Sequence, residues 1–195
     1  MSRNLRLASL CITLAILAAC ASTQLVNVWT DPSLKTTKFT NVLALVISKD
    51  EVARRVGEDT LVQALAPTRA FCAYRILSDA ELRDKERSHQ ALKAIGVDGV
   101  ITMRMVDAQQ QTTFMPGAYP GFWGYYGWAY PMAYSPGYLV TNTIVRVETK
   151  VYDLGSDKLV WGAVSDTFNP ASARDLVDDV ARTVAAELKK QGLVR

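Results

Sequence analysis

The stretch VLALVISKDEVARRVGEDTLVQALAP, residues 42–67, decides the fold. It opens on VLALVIS, an apolar run of strand length with no alternation, the pattern of a strand buried on both faces. Ser48 and Glu51 then stand three apart, as in a capping box, where a hydroxyl accepts a free N–H of the first turn and the glutamate returns the bond. The spacing predicts a helix that opens there and runs to Ala66, where Pro67 stops it, with Val52, Val56, Leu61 and Leu65 turned toward the sheet.

The same punctuation continues downstream. CAYRILS, residues 72–78, predicts a second strand, and Ser78 with Glu81 forms a second capping box. The helix that follows carries Ala91, Leu92 and Ile95 and ends at Gly96, a residue suited to the left-handed terminator. In GVDGVITMRMVD, residues 96–107, Ile101, Met103 and Met105 alternate with Thr102 and Arg104, as in a strand. NTIVRVETKVYD, residues 142–153, places Val145, Val147, Thr149 and Val151 on one face and Arg146, Glu148 and Lys150 on the other. The turn DLGSDK leads into LVWGAVSDTF, which makes these two strands an antiparallel hairpin. A last helix begins near Asn169-Pro170 or Ser172, carries Leu176, Val180, Val184 and Leu188 at i+4 spacing, and stops at Gly192.

The result is an α/β (α+β) fold with a single mixed sheet, in the order β-α-β-α-β-(aromatic insert)-β-β-α, helices packed on the sheet. One domain spans residues 42–195. Residues 20–41 are polar, broken at Asp31-Pro32, and serve as a tether in which Val26, Val28 and Trp29 can dock as an edge strand.

The chain opens with Arg3 and Arg6 ahead of an apolar stretch, residues 7–19, the layout of a secretory signal peptide. That stretch falls short of the roughly 20 residues a helix needs to span a bilayer. It ends Leu17-Ala18-Ala19-Cys20, which resembles the lipobox of bacterial lipoproteins. By that resemblance residues 1–19 are removed, Cys20 is acylated, and Ala21 in place of Asp implies sorting to the periplasmic face of the outer membrane. Cys11 leaves with the leader, so Cys72 is the one thiol left, no intramolecular disulfide can form, and the Phe71 and Ala73 neighbours place Cys72 in the core.

Between Asp107 and Arg146 there is no charged residue, and ten aromatics fall between Phe114 and Tyr138. Pro-Gly recurs at residues 116, 120 and 136, each suited to a type II turn, so this insert, residues 108–139, is neither a helix nor a set of long strands. Ten aromatics showing half of what each can bury would make a patch of about 1,000 Å², more than monomers expose. The candidate binding residues are therefore Tyr119, Phe122, Trp123, Tyr125, Tyr126, Trp128, Tyr130 and Tyr134. Four coverings fit: the domain's own sheet, an envelope protein or a second copy, peptidoglycan or lipopolysaccharide sugars, and the lipid headgroup layer. The flanks QQQTTF and LVTNTIV do not alternate as a membrane-spanning β-hairpin would.

Catalytic chemistry has little to work with. The one histidine, His89, lies among charged neighbours on a helix, and no nucleophile elbow, Walker loop, zinc motif or C-x-x-C is present. The carboxylate pairs Glu58-Asp59 and Asp178-Asp179 are adjacent on helices and diverge, while Arg54 with Glu58 and Arg55 with Asp59 are spaced as surface ion pairs. We expect no catalytic residue, no metal and no cofactor. Without Arg3 and Arg6, 20 Lys+Arg stand against 19 Asp+Glu, and no basic run tracks phosphates, which excludes nucleic acid as a partner.

Taken together, NVWTDPS, VLALVISKDEVARRVGEDTLVQAL, ALKAIGVDGVITMRMV, the aromatic insert and ETKVYDLGSDKLVWGAVSDTFNP resemble an uncharacterised family of proteobacterial outer-membrane lipoproteins. More remotely, the element order resembles the periplasmic core of the curli-secretion lipoprotein and the N-terminal domain of the Tol-system β-propeller protein. The resemblance implies a lipid-anchored, non-enzymatic envelope binding or assembly component. A cell-wall-active enzyme with an unrecognised carboxylate site, and a structural lipoprotein without a ligand, are the competing classes.

Overall fold

The computed structural model describes residues 22–33, 38–114 and 139–195. Its elements are β1 (Ser22–Thr30), β2 (Asn41–Val46), α1 (Glu51–Ala64), β3 (Arg69–Cys72), α2 (Ala73–Ile76), α3 (Asp79–Leu82), α4 (Lys85–Ala94), β4 (Gly99–Phe114), β5 (Leu139–Asp153), β6 (Lys158–Phe168) and α5 (Ala173–Lys190). The strands form one six-stranded mixed sheet in the order β1-β6-β5-β4-β2-β3. β2 is parallel to β3 and to β4, whereas β4–β5, β5–β6 and β6–β1 are antiparallel.

The apolar run that begins the domain lies centrally, between β3 and β4. Alternate side chains of β2 enter two cores on opposite faces. Val42 and Ala44 join Leu61, Leu65, Ile101, Val151, Trp161, Val180, Val184 and Leu188, so α1 and α5 cover this face. Leu43 joins Ala73, Leu77, Leu92, Val97 and Val100, so α2 to α4 cover the other. A strand apolar on both sides belongs only where both faces are covered. The hairpin also matches its pattern: Val145, Val147, Thr149 and Val151 are all buried.

Local details correct three sequence expectations. Asp50, not Ser48, caps α1, its carboxylate accepting from the Val52 and Ala53 N–H groups. Val52 is 71% exposed, and the buried stripe of α1 is Gly57, Glu58, Leu61 and Leu65. Gly57 allows a close approach there: a Cβ would meet Val46 Cγ2 at 3.0 Å, and the valine would have to shift. Residues 72–78 are not a strand; β3 ends at Cys72 and the chain turns helical at Ala73. The second capping box, Ser78 with Glu81, is present, and the last helix is capped by Ser172. Gly96 and Gly192 both take the left-handed conformation, φ 71° and 74°.

Residues 22–30, grouped with the tether, form a full edge strand against β6. Residues 108–114, grouped with the insert, continue β4, and β5 begins at Leu139.

Candidate functional site

The β4–β5 hairpin outgrows the sheet. β2 accompanies β4 only as far as Met103, and β6 accompanies β5 only between Asp153 and Ile144. Beyond Ile144 the pairs Gln110–Thr143, Gln111–Asn142, Thr112–Thr141, Thr113–Val140 and Phe114–Leu139 continue as a two-stranded ribbon. At about 3.4 Å per residue the ribbon projects roughly 17 Å. Asn169, at φ 47°, braces its root: Asn169 Nδ2 donates to Asn142 Oδ1 at 2.9 Å, and Asn169 Oδ1 accepts from the Thr143 N–H at 2.7 Å.

A band of charge ends where the ribbon begins. Asp107 pairs across the ladder with Arg146, and Arg146 makes a two-pronged bond to Asp166, Nε to Oδ1 and Nη2 to Oδ2, both 2.7 Å. That bond holds the Asp166 carboxyl below its usual range against the opposing effect of burial. One turn of the pleat lower, Glu148 accepts from Lys150 at 2.9 Å and from Arg104 at 3.3 Å, and its carboxyl is lowered first by the Lys150 bond. These residues lie on the sheet face that, among the described residues, no helix covers over β5, β6 and β1. A groove of about 310 Å³ runs along it, lined among others by Asn27, Trp29, Glu148, Lys150, Leu159 and Val164.

The eight aromatic candidates, Tyr119, Phe122, Trp123, Tyr125, Tyr126, Trp128, Tyr130 and Tyr134, lie outside the described residues, as does Cys20. The structure supplies their stem: the ribbon delivers both ends of the aromatic segment to one point beyond the sheet.

The helix carboxylates are arranged differently from the sequence expectation. Arg54 pairs with Asp79 at 2.8 Å rather than with Glu58, and Arg55 pairs with Glu51 rather than with Asp59. Glu58 is fully buried. Its Oε1 accepts from the Val46 N–H at 3.2 Å and its Oε2 from the Tyr74 N–H at 2.8 Å. It thus serves the end of β2 and the start of α2, whose own N-cap, Cys72, offers no side-chain bond. Burial pushes the Glu58 carboxyl up, partly offset by those backbone donors. With both oxygens committed and no solvent contact, Glu58 is a structural clamp. The signal for it was its place three residues before Leu61 and seven before Leu65, on the stripe that faces the sheet.

Asp59 instead faces outward and gathers the Tyr74 hydroxyl at 3.0 Å, Arg75 Nη2 at 2.9 Å and the Cys72 thiol at 3.2 Å. Burial first, and then Asp59, pushes the Cys72 thiol up to about 12, so it stays protonated and unreactive at neutral pH. Cys72 is buried in the core, as its neighbours implied. His89 is exposed on α4. Among the described residues no group of three or more His, Cys, Asp or Glu side chains is placed to hold a metal, and no helix is long and apolar enough to cross a membrane.

No family model matches the chain, and no curated protein matches it. Among solved structures, the PelC dodecamer from Paraburkholderia phytofirmans is similar at 11% identity, covering 89% of this chain and 99% of its own, with a TM-score of 0.47. The lipoprotein GNA1162 from Neisseria meningitidis is similar at 14% identity over 77% of this chain and 99% of its own, with a TM-score of 0.39. A PDZ domain protein from Parabacteroides distasonis covers 97% of this chain at 10% identity and a TM-score of 0.39, and the match spans 40% of that protein.

Proposed function

We propose that this chain is a lipid-anchored component of the bacterial envelope, held on the periplasmic face of the outer membrane by an acylated Cys20, and that it works by binding rather than by catalysis. The observation that carries the reading is the β4–β5 ribbon, whose last pair, Phe114–Leu139, brings the two ends of an uncharged Tyr, Trp, Gly and Pro segment together beyond the rest of the sheet. Tyr and Trp, in which the segment is rich, are enriched among the side chains that anchor binding surfaces.

Two substitutions separate anchor from binding surface. Cys20→Ser is expected to abolish acylation, read as the loss of the lipid mass, and to release the chain from washed membranes only in part. In that background, replacing residues 117–137 with a short Gly/Ser linker is expected to leave the melting temperature unchanged and to abolish the remaining cosedimentation with isolated outer membranes. Equal cosedimentation of the two proteins would refute the binding reading. A large fall in melting temperature would assign the segment to the domain's own packing.

A further inference from the structure

Two rows of the ladder cross the open face side by side. Asn27, Val164, Glu148 and Arg104 form the first, and Trp29, Gly162, Lys150 and Thr102 form the second, each residue paired with the next across β1, β6, β5 and β4. Residues opposite one another in a ladder put their side chains on one face. Gly162, with none, therefore leaves a slot between Trp29 and Lys150, whose strands flank it at about 5 Å on either side. The slot belongs to the groove of about 310 Å³, which Asn27, Glu148 and Val164 also line.

Nothing in the fold calls for a glycine at residue 162. The left-handed glycines among the described residues are Gly96 and Gly192, and Gly162 lies inside β6. A Cβ built on it would come no closer than 3.8 Å to Thr149 O and 3.9 Å to Lys150 Cγ, both ordinary contacts. Glycine in a strand interior costs stability, and it marks a bulge, a bend or a place where a ligand or another backbone comes close. The register around Gly162 is regular on both sides, from Trp29 to Lys150. Close approach from outside the described residues is the reason that is left, and beside it Trp29 stands 48% exposed.

We propose that this groove is a saccharide site, taking an uncharged pyranose ring over Gly162, with the apolar ring face against Trp29 and the hydroxyls on Asn27, Glu148 and Lys150. The site goes beyond the membrane anchor and the aromatic segment and depends on neither. Charge selects the occupant. On these two rows and the one above them, Arg104, Arg146 and Lys150 balance Asp107, Glu148 and Asp166. The cations are held by neighbouring acids: Lys150 and Arg104 by Glu148, at 2.9 and 3.3 Å, and Arg146 by Asp166 at 2.7 Å. A charged partner would have to break a pair to make one, whereas hydroxyl groups both donate and accept and can join the pairs as they stand. The Asn27 amide adds a donor and an acceptor beside the indole. Few polar groups around an apolar floor is the make-up of small-ligand sites, and the volume lies at the lower end of their range of about 300 to 1,000 Å³. Trp29 is on an edge strand, so a longer saccharide can leave the groove past β1.

The test titrates the full chain, in a detergent without a sugar headgroup, with three β-1,4-linked tetramers of the same ring geometry in a calorimeter: cellotetraose, which is neutral, a glucuronate tetramer and a glucosamine tetramer. Cellotetraose is expected to bind saturably and at least tenfold tighter than either charged tetramer. Gly162→Val fills the slot with a strand-favouring side chain; it is expected to weaken cellotetraose binding at least tenfold without lowering the melting temperature. Trp29→Ala is expected to weaken it as much, again with unchanged melting. No saturable binding of cellotetraose, or tighter binding of a charged tetramer, overturns the proposal. Wild-type affinity in Gly162→Val overturns it as well, and a fall in that variant's melting temperature assigns the glycine to the sheet's own packing. If sedimentation shows a dimer that Gly162→Val dissociates, a second copy occupies the face and the saccharide reading is wrong.

Discussion

β2, β3 and the base of β4 run parallel with helices against both faces, whereas β5, β6 and β1 run antiparallel with α5 against one face only. In the first half Val42, Leu43, Ala44, Val100 and Ile101 are buried whichever face they point to, and the buried carboxylate of Glu58 is tied to two backbone N–H groups. In the second half side chains alternate, and the charges sit on the open face in lateral pairs such as Arg146–Asp166. The difference teaches where this protein has surface to spare. The two-sided half is consumed by its own packing, while the one-sided half carries the groove and, through β5, one strand of the ribbon.

The largest test of this contrast strikes the covered face of the antiparallel half. Trp161 is fully buried against α5, and Trp161→Ala is expected to cost about 3 to 5 kcal/mol in urea unfolding, as large-to-small changes of buried aromatics do. A loss under about 1 kcal/mol would mean that this half does not depend on its single helix layer.

Next comes Glu58, which joins the parallel half to α2. Glu58→Ala leaves the Val46 and Tyr74 N–H groups without their acceptor and is expected to cost about 2 to 4 kcal/mol. The pH dependence has a definite sign. Because its folded pKa is raised, the proton on Glu58 contributes stability that is complete below the ordinary carboxylate value and lost as pH rises through the raised one. The stability gap between wild type and Glu58→Gln should therefore narrow as pH rises from 4 toward 7, and a widening gap would contradict the burial assigned to this group.

The smallest effect belongs to the open face. Asp166→Asn is expected to cost about 1 kcal/mol at neutral pH, the upper range for a partly exposed ion pair. Its folded pKa is lowered, so this contribution is present above the ordinary carboxylate value and is lost as pH falls through the lowered one. The two halves should thus answer to pH in opposite directions, a contrast that thermal melts of the two variants across pH 3 to 7 would display or dissolve.

Periodicity and punctuation made much of this legible beforehand. Val42 to Val46 read as a two-sided strand, residues 145–151 as a one-sided one, and Leu176 to Leu188 as a helix face, because each pattern is local and repeats with the element's own period. Where the reading slipped, a tertiary contact had overruled a local signal. Val52 and Val56 fit an apolar stripe, but α1 is rotated so that Gly57 can approach Val46 and Glu58 can reach the sheet. Cys72 to Ser78 had strand composition, but Glu58 arrives from another element to cap a helical turn at Tyr74. The candidate aromatics were found by composition alone; their stem was hidden because Gln109 to Thr113 are polar on both faces and show no period.

By itself, then, the sequence determined the order of elements from β2 to α5, the two burial regimes of the strands and the concentration of uncharged aromatics, all properties of residues near one another along the chain. Only the tertiary structure decided that β1 closes the sheet beside β6, and so that Trp29 and Lys150 flank Gly162. The pairs that place β1 beside β6 join residues more than a hundred positions apart, from Ser22–Phe168 to Thr30–Trp161, and no local pattern encodes them.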